Sequence, residues 1–165
     1  MKPSGPTTTT SSPSYHGFLS SLFDAQILFT AALMGSIPIL TRRLTSPSLA
    51  PKSGAIYVYD EEVARIQRWT DGRAWSPARS ISSPFQRYLE LEHRPPPRRH
   101  PYRQVISVPV SVPSPKVKVN GLVKYTVGGR SHQGHQLRLV AYYHPDDLEL
   151  GGLNSPSMDP HLIPL

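Results

Sequence analysis

Arg68-Trp69-Thr70-Asp71-Gly72-Arg73-Ala74-Trp75-Ser76-Pro77-Ala78-Arg79 gathers three arginines, both tryptophans of the chain and a turn signal into one short run. Thr70-Asp71-Gly72 is a tight-turn signature, because glycine tolerates positive φ and an aspartate side chain bonds its own backbone two residues on. Ser76-Pro77 predicts an N-cap followed by proline at the first helical position. The indoles and guanidinium groups are therefore expected on a fixed turn between ordered elements. Cationic donors beside aromatic faces on such a turn are what a nucleic-acid surface requires.

Working outward, the chain's 165 residues allow one domain with a modest core and extended ends. A formal charge of +7 favours an acidic partner. There is no cysteine, which excludes disulfides and thiolate metal sites and fits a reducing compartment. Nineteen prolines, concentrated in the N-terminal tail, in 95–115 and near the C-terminus, mark where regular structure is interrupted. Phe18 to Leu40 is long and nearly uncharged, but Asp24, Gln26, Gly35 and Pro38 interrupt it, so it reads as a buried core helix and no membrane partner is expected.

Residues 1–14 form a low-complexity tail expected to be disordered. Ser20 or Ser21 caps a helix over about Leu22 to Met34, stopped by Gly35 and apolar on nearly every face, which predicts cover on several sides. Gly54 to Asp60 is a strand rich in β-branched and aromatic residues. After a turn at Asp60-Glu61-Glu62, Arg65 to Trp69 is expected to return as a second strand, with Ile66 and Arg68 on one face and Arg65, Gln67 and Trp69 on the other. A short helix from Pro77 and an extended Phe85 to Leu91 follow. His93 to Pro101 opens a basic, proline-rich linker over 93–115. Val117 to Val127 reads as a strand interrupted at Asn120-Gly121, Gly128 to Gln136 as a loop, Leu137 to Tyr143 as a returning strand, and His144 to Leu148 as a turn entering one helical turn. Residues 151–165 read as tail.

RWTDGRAWSPAR, preceded by Ser53 to Glu62 (SGAIYVYDEE), resembles the WOPR domain of fungal transcription regulators, the family of the white–opaque switching regulator. Upstream, Tyr15, Gly17, Asp24-Ala25, Gly35, Pro38 and Arg42-Arg43-Leu44 are similar to the family's opening helix and arginine pair. Downstream, Gly121 to Thr126 and Leu139 to Asp147 resemble its second conserved block. The likeness covers about 15–150, with a first block over 15–92 and a second over 116–150. It implies an α+β fold, a single domain whose two blocks interlock through a mainly antiparallel β-sheet with a few helices. It also implies sequence-specific binding of A/T-rich double-stranded DNA by a nuclear regulator of a fungus. Lys52, Ala78 and Tyr125 depart from the family pattern, which has arginine, serine and a basic residue there. The lysine keeps the charge but loses bidentate contact.

Arg65, Arg68, Arg73 and Arg79 are the first DNA-contact candidates, by phosphate clamping and arginine reach into a groove. Arg42, Arg43, Lys52 and Lys124 are second, with Thr70 and Ser76 as hydroxyl contacts. Arg98, Arg99 and Arg103 add non-specific attraction. Trp69 and Trp75 are assigned to structural support, with bonded indole N–H groups, and Asp71 and Gly72 to the turn itself. His132, His135 and His144 lack zinc-like spacing, so no metal is expected. No nucleophile–base pair or phosphate-cradling loop stands out, so neither a cofactor nor enzymatic activity is expected. The partners expected are duplex DNA and other transcription factors, bound by a monomer. The alternative is a degenerate domain that keeps the fold and modulates longer regulators without specific DNA binding. The substitutions at Lys52 and Ala78 and the want of a polar activation tail motivate it.

Overall fold

Ser21 starts the first helix. Its hydroxyl accepts from the Asp24 amide at 3.4 Å, and α1 runs Leu22–Leu33. This computed structural model describes residues 13–44, 51–82, 84–93, 116–131 and 133–162. The first twelve residues of the expected tail and all of the expected linker but His93, with Arg98, Arg99, Arg103 and also His132, lie outside them. The other elements are β1 (Tyr15–His16), β2 (Ala55–Asp60), α2 (Glu61–Ala64), β3 (Arg79–Ser82), β4 (Phe85–Leu89), β5 (Val123–Arg130), β6 (Gln136–Tyr143), α3 (Pro145–Glu149) and a 3-10 turn at Pro156–Met158.

The six strands form one sheet in the order β1-β2-β6-β5-β4-β3, every neighbouring pair antiparallel. β5 and β6, from the second conserved block, lie between β2 and β4 from the first. Neither block can complete the sheet alone, and the α+β, mainly antiparallel architecture expected from the sequence is the one observed.

Strand alternation sends side chains to two faces. On one face Ile56, Val58, Phe85, Val127, Leu137, Leu139 and Ala141 pack against Leu28, Phe29 and Ala32 of α1. On the other, Tyr57, Tyr59, Leu122, Val140 and Tyr142 pack with Leu40, Ala64 and Ile66, and Trp69 and Trp75 lie against them. No helix among the described residues is long and apolar enough to cross a membrane.

Five expectations need correction. Arg65 to Trp69 is not a strand: Asp60 caps α2 by accepting from the Glu62 and Val63 amides, and Arg65 ends that helix in the left-handed region at φ 54°. β2 already pairs with β6 on one edge, and with β1 and a Leu40 bridge on the other, so no edge remains for a hairpin partner. Nor does a helix start at Pro77. The Ser76 hydroxyl that would cap it accepts from the Leu89 amide at 2.9 Å, and β3 follows instead. Gly128 to Arg130 continue β5 rather than forming a loop.

Residues 151–162 are not a loose tail. The Ser157 amide donates to the buried Asp24 at 2.9 Å, and the Tyr15 hydroxyl donates to Asp159 at 2.6 Å, stapling this segment to α1 and β1. Burial raises the Asp24 pKa, but hydrogen bonds from Ser20 and Ser157 outweigh it and hold the carboxyl below its ordinary value. Finally, α1 is covered on one side only: Phe23 is 59% and Met34 69% exposed.

Candidate functional site

The segment from Arg65 to Ser76 crosses the sheet face opposite α1, from the end of β2 toward the end of β4. Its inward residues do not alternate as a strand's would. Ile66 is buried, Trp69 and Trp75 are half-buried, and Arg65, Gln67, Arg68 and Thr70 are exposed. The Trp69 ring stacks on Tyr59 with centroids 5.4 Å apart, and its Nε1 donates to the Tyr142 hydroxyl at 2.6 Å.

Asp71 is the hub of the turn. It accepts from the Tyr142 hydroxyl at 2.6 Å, from Trp75 Nε1 at 2.9 Å and from the Arg73 amide at 3.1 Å. The last of these is the aspartate's local turn bond. Gly72 follows at φ 77° with open space around its α-carbon, so backbone conformation, not crowding, requires glycine there. A relay thus runs from Trp69 through Tyr142 to Asp71 and on to Trp75. It ties both ends of the turn to the C-terminal end of β6.

Two candidate contact residues face inward. The Lys124 side chain is 9% exposed, with Nζ 3.6 Å from Asp71 and 4.4 Å from the centre of the Trp75 ring. Burial lowers its pKa, partly offset by Asp71. Lys124 therefore lies turned inward beside the hub carboxylate. Arg73 is half-buried, and its Nη1 donates to Glu90 at 2.6 Å. Glu90, which the sequence reading did not single out, accepts from the Leu122 amide at 2.9 Å and lies 3.6 Å from Lys118 Nζ. Burial raises the Glu90 pKa, but the Leu122 amide and Arg73 outweigh it and hold the carboxyl below its ordinary value. Arg73 Nε is buried and has no hydrogen-bond partner among the described residues. Ser76 is likewise engaged internally, pairing backbone and hydroxyl with Leu89.

Arg65, Arg68, Thr70, Arg79, Arg42, Arg43 and Lys52 are all exposed. Among the described residues none of these cations has a carboxylate partner. Arg42 and Arg43 lie between Leu40 and Leu44, which pack into the same apolar cluster as Trp69. Lys52 precedes β2, where the Gly54 amide donates to the Tyr142 carbonyl at 2.8 Å. Arg79 begins β3 and points to the α1 face, opposite Arg87 of β4. Two acidic residues at the end of β2 have other partners. Glu61 pairs with Arg138, and Asp60 lies 3.0 Å from His135 Nδ1.

Glu90 and Tyr142 were both missed, and each had a signal. Glu90 lies between Leu89 and Leu91, where strand alternation puts it on the face opposite the two leucines, the face that the Arg65 to Ser76 segment crosses. Tyr142 lies in the apolar run Leu139 to Tyr143, whose buried hydroxyl needs a partner.

A family model described as the Gti1/Pac2 family matches residues 14–111. The global transcription regulator sge1 of Gibberella fujikuroi is 32% identical over 91% of this chain and 58% of its own length. The cAMP-independent regulatory protein pac2 of Schizosaccharomyces pombe is 36% identical over 65% of this chain and 44% of its own. This chain thus spans about half the length of such relatives. A solved complex of the WOPR domain of Wor1 in Candida albicans with a 17-bp double-stranded DNA is similar with a TM-score of 0.69 at 25% identity, covering 91% of this chain and 90% of that one. A structure described as a fungal protein is similar with a TM-score of 0.71 at 28% identity, covering 92% and 84%.

Proposed function

This chain belongs to the Gti1/Pac2 family, and from that membership we propose that it is a transcription regulator that binds double-stranded DNA in the nucleus of a fungus. The observation that carries the reading is the two-sidedness of the 65–76 segment. Its indoles and Asp71 turn inward into a closed polar network with Tyr142 and Lys124, while Arg65, Arg68 and Thr70 turn out with no internal partner among the described residues. The likeness to a domain solved with double-stranded DNA supports the same assignment.

Mechanically, Arg65 and Arg68 bind the duplex, and Arg42, Arg43 and Lys52 hold phosphates on either side. Arginine suits both a phosphate and a narrow, A/T-rich minor groove, because its planar fork donates in two directions and is weakly hydrated. Trp69, Asp71, Gly72, Trp75, Tyr142 and Lys124 do not touch DNA. They fix the turn so that little ordering is lost on binding. Arg73 positions the turn against Glu90. The protein acts as a monomer, without enzymatic activity, and with other transcription factors as further partners.

Titration of the full chain with A/T-rich and G/C-rich duplexes across a range of salt tests this. Expected are preference for the A/T-rich duplex and a log–log salt slope of about −0.9 per phosphate held. Equal binding of both duplexes would favour the interaction-module alternative, and no binding would refute the assignment.

A further inference from the structure

One register row runs across the whole sheet on the α1 face: Arg79, Arg87, Tyr125, Ala141, Ile56 and Tyr15 lie opposite one another in turn. Its inner members are covered. The Phe18 ring lies 4.9 Å from Tyr143 and 6.2 Å from Tyr125. The row then continues outward into two arginines directly opposed on β4 and β3. Facing side chains on such strands start about 5 Å apart, and like charges there repel.

A like-charge pair at that spacing favours an anion between the two groups, and the described residues supply none. Phe85, Leu89, Val123 and Val127 share this face of the neighbouring strands, and none is acidic. Neither arginine has a salt bridge among the described residues. The Tyr125 and Tyr143 hydroxyls lie 3.1 Å apart. One donates to the other, so the accepting hydroxyl keeps its own proton to offer. Two guanidinium forks on β3 and β4, with a spare O–H on the strands inboard of them, match the tetrahedral oxygens of a phosphate.

We propose that Arg79 and Arg87, backed by the Tyr125–Tyr143 hydroxyl pair, form a second phosphate site that takes a backbone phosphate of duplex DNA outside the stretch held by Arg65 and Arg68. This rests on the DNA-binding reading above. The two sites lie on opposite faces of the sheet, and the 65–76 segment leads straight into β3, the outermost strand. A duplex lying along that edge meets the loop on one side and the arginine pair on the other.

The test is duplex binding by the full chain carrying Arg87→Gln, Arg79→Gln or both, with melting temperature measured in parallel. Each single change is expected to weaken binding about tenfold and to flatten the salt slope by about 0.9. The double change should flatten it no further, since the pair holds one phosphate. Melting temperature should stay level or rise by about 1–2 °C, because a repulsion has been removed. A purely structural arginine would instead lower it. Wild-type chain that binds duplex while Arg87→Gln leaves affinity and slope unchanged overturns this proposal alone. Wild-type chain that binds no duplex defeats the reading beneath it. If inorganic phosphate shifts the Arg87 side-chain NMR signal but the Arg87→Gln slope is unchanged, the pair takes a free anion and the duplex assignment falls.

Discussion

The two faces of the sheet are held in different ways. Under α1 the packing is apolar: Leu28, Ile56, Val58 and Leu139 are wholly buried and need only volume and shape. On the opposite face an apolar cluster around Tyr57, Ile66 and Val140 also holds buried polar groups, Tyr142, Asp71, Lys124 and Glu90, joined by directed hydrogen bonds and ion pairs. Apolar packing stabilises in proportion to the area removed from water and is indifferent to direction. A polar network contributes little net stability, but it penalises any arrangement that leaves a member unpaired. The first face keeps the domain folded, while the second fixes the position of one loop.

The largest effect should come from the apolar face. Leu28→Ala is expected to cost about 2–5 kcal/mol, through lost transfer energy and the cavity left behind. Chemical denaturation checks this, and the variant should bind DNA normally wherever it remains folded. A loss of affinity in the folded variant would mean that the two faces are not separable.

Next, Tyr142→Phe removes the hydroxyl that links Trp69 to Asp71. A stability loss of about 1–3 kcal/mol is expected from the unpaired groups. The two indole N–H signals should also shift in an NMR spectrum and DNA affinity should fall, although Tyr142 touches no DNA. Unmoved indole signals would show that the relay does not set the turn.

The legible parts of the fold are those whose signals are local. Ser21 caps α1, Gly54 to Asp60 supplies β-formers, and Pro145 starts α3. Arg65 to Trp69 misled because a strand followed by a turn signal suggests a hairpin, whereas the absence of a free β2 edge is a property of the whole sheet. Ser76-Pro77 misled similarly: a cap needs a free hydroxyl, and Leu89 holds this one from thirteen positions away. Within the candidate site, the inward tryptophans and the turn-forming Asp71 could be read from residue type. The inward placement of Arg73 and Lys124 could not, since it depends on Glu90 and Asp71 reaching them across strands.

A smaller effect concerns pH. The Glu90 carboxyl is held below its ordinary value of 4.5 by the Leu122 amide and Arg73 against the opposing push of burial. Its contribution is therefore complete above that ordinary value and is lost as pH falls through the lower folded-state value. Stability measured from neutral pH into this acid range should fall, and Glu90→Gln should flatten the decline. An equal decline in both proteins would place the acid sensitivity elsewhere, with Asp24 the next carboxylate to test.

The smallest effect is expected on the open side of α1. Phe23→Ser should change stability by no more than about 0.5 kcal/mol, because the ring is largely in water already. A larger loss on thermal melting would mean that this side of the helix is covered in solution.

The most direct measurement is DNA affinity and melting temperature for the full chain with Arg65→Ala and Arg68→Ala combined. Both side chains are exposed and unpaired among the described residues. The expected result is duplex binding weakened at least about tenfold, a shallower salt slope and an unchanged melting temperature. Undiminished affinity in a well-folded variant would contradict the assignment of DNA binding to the outward side of this loop.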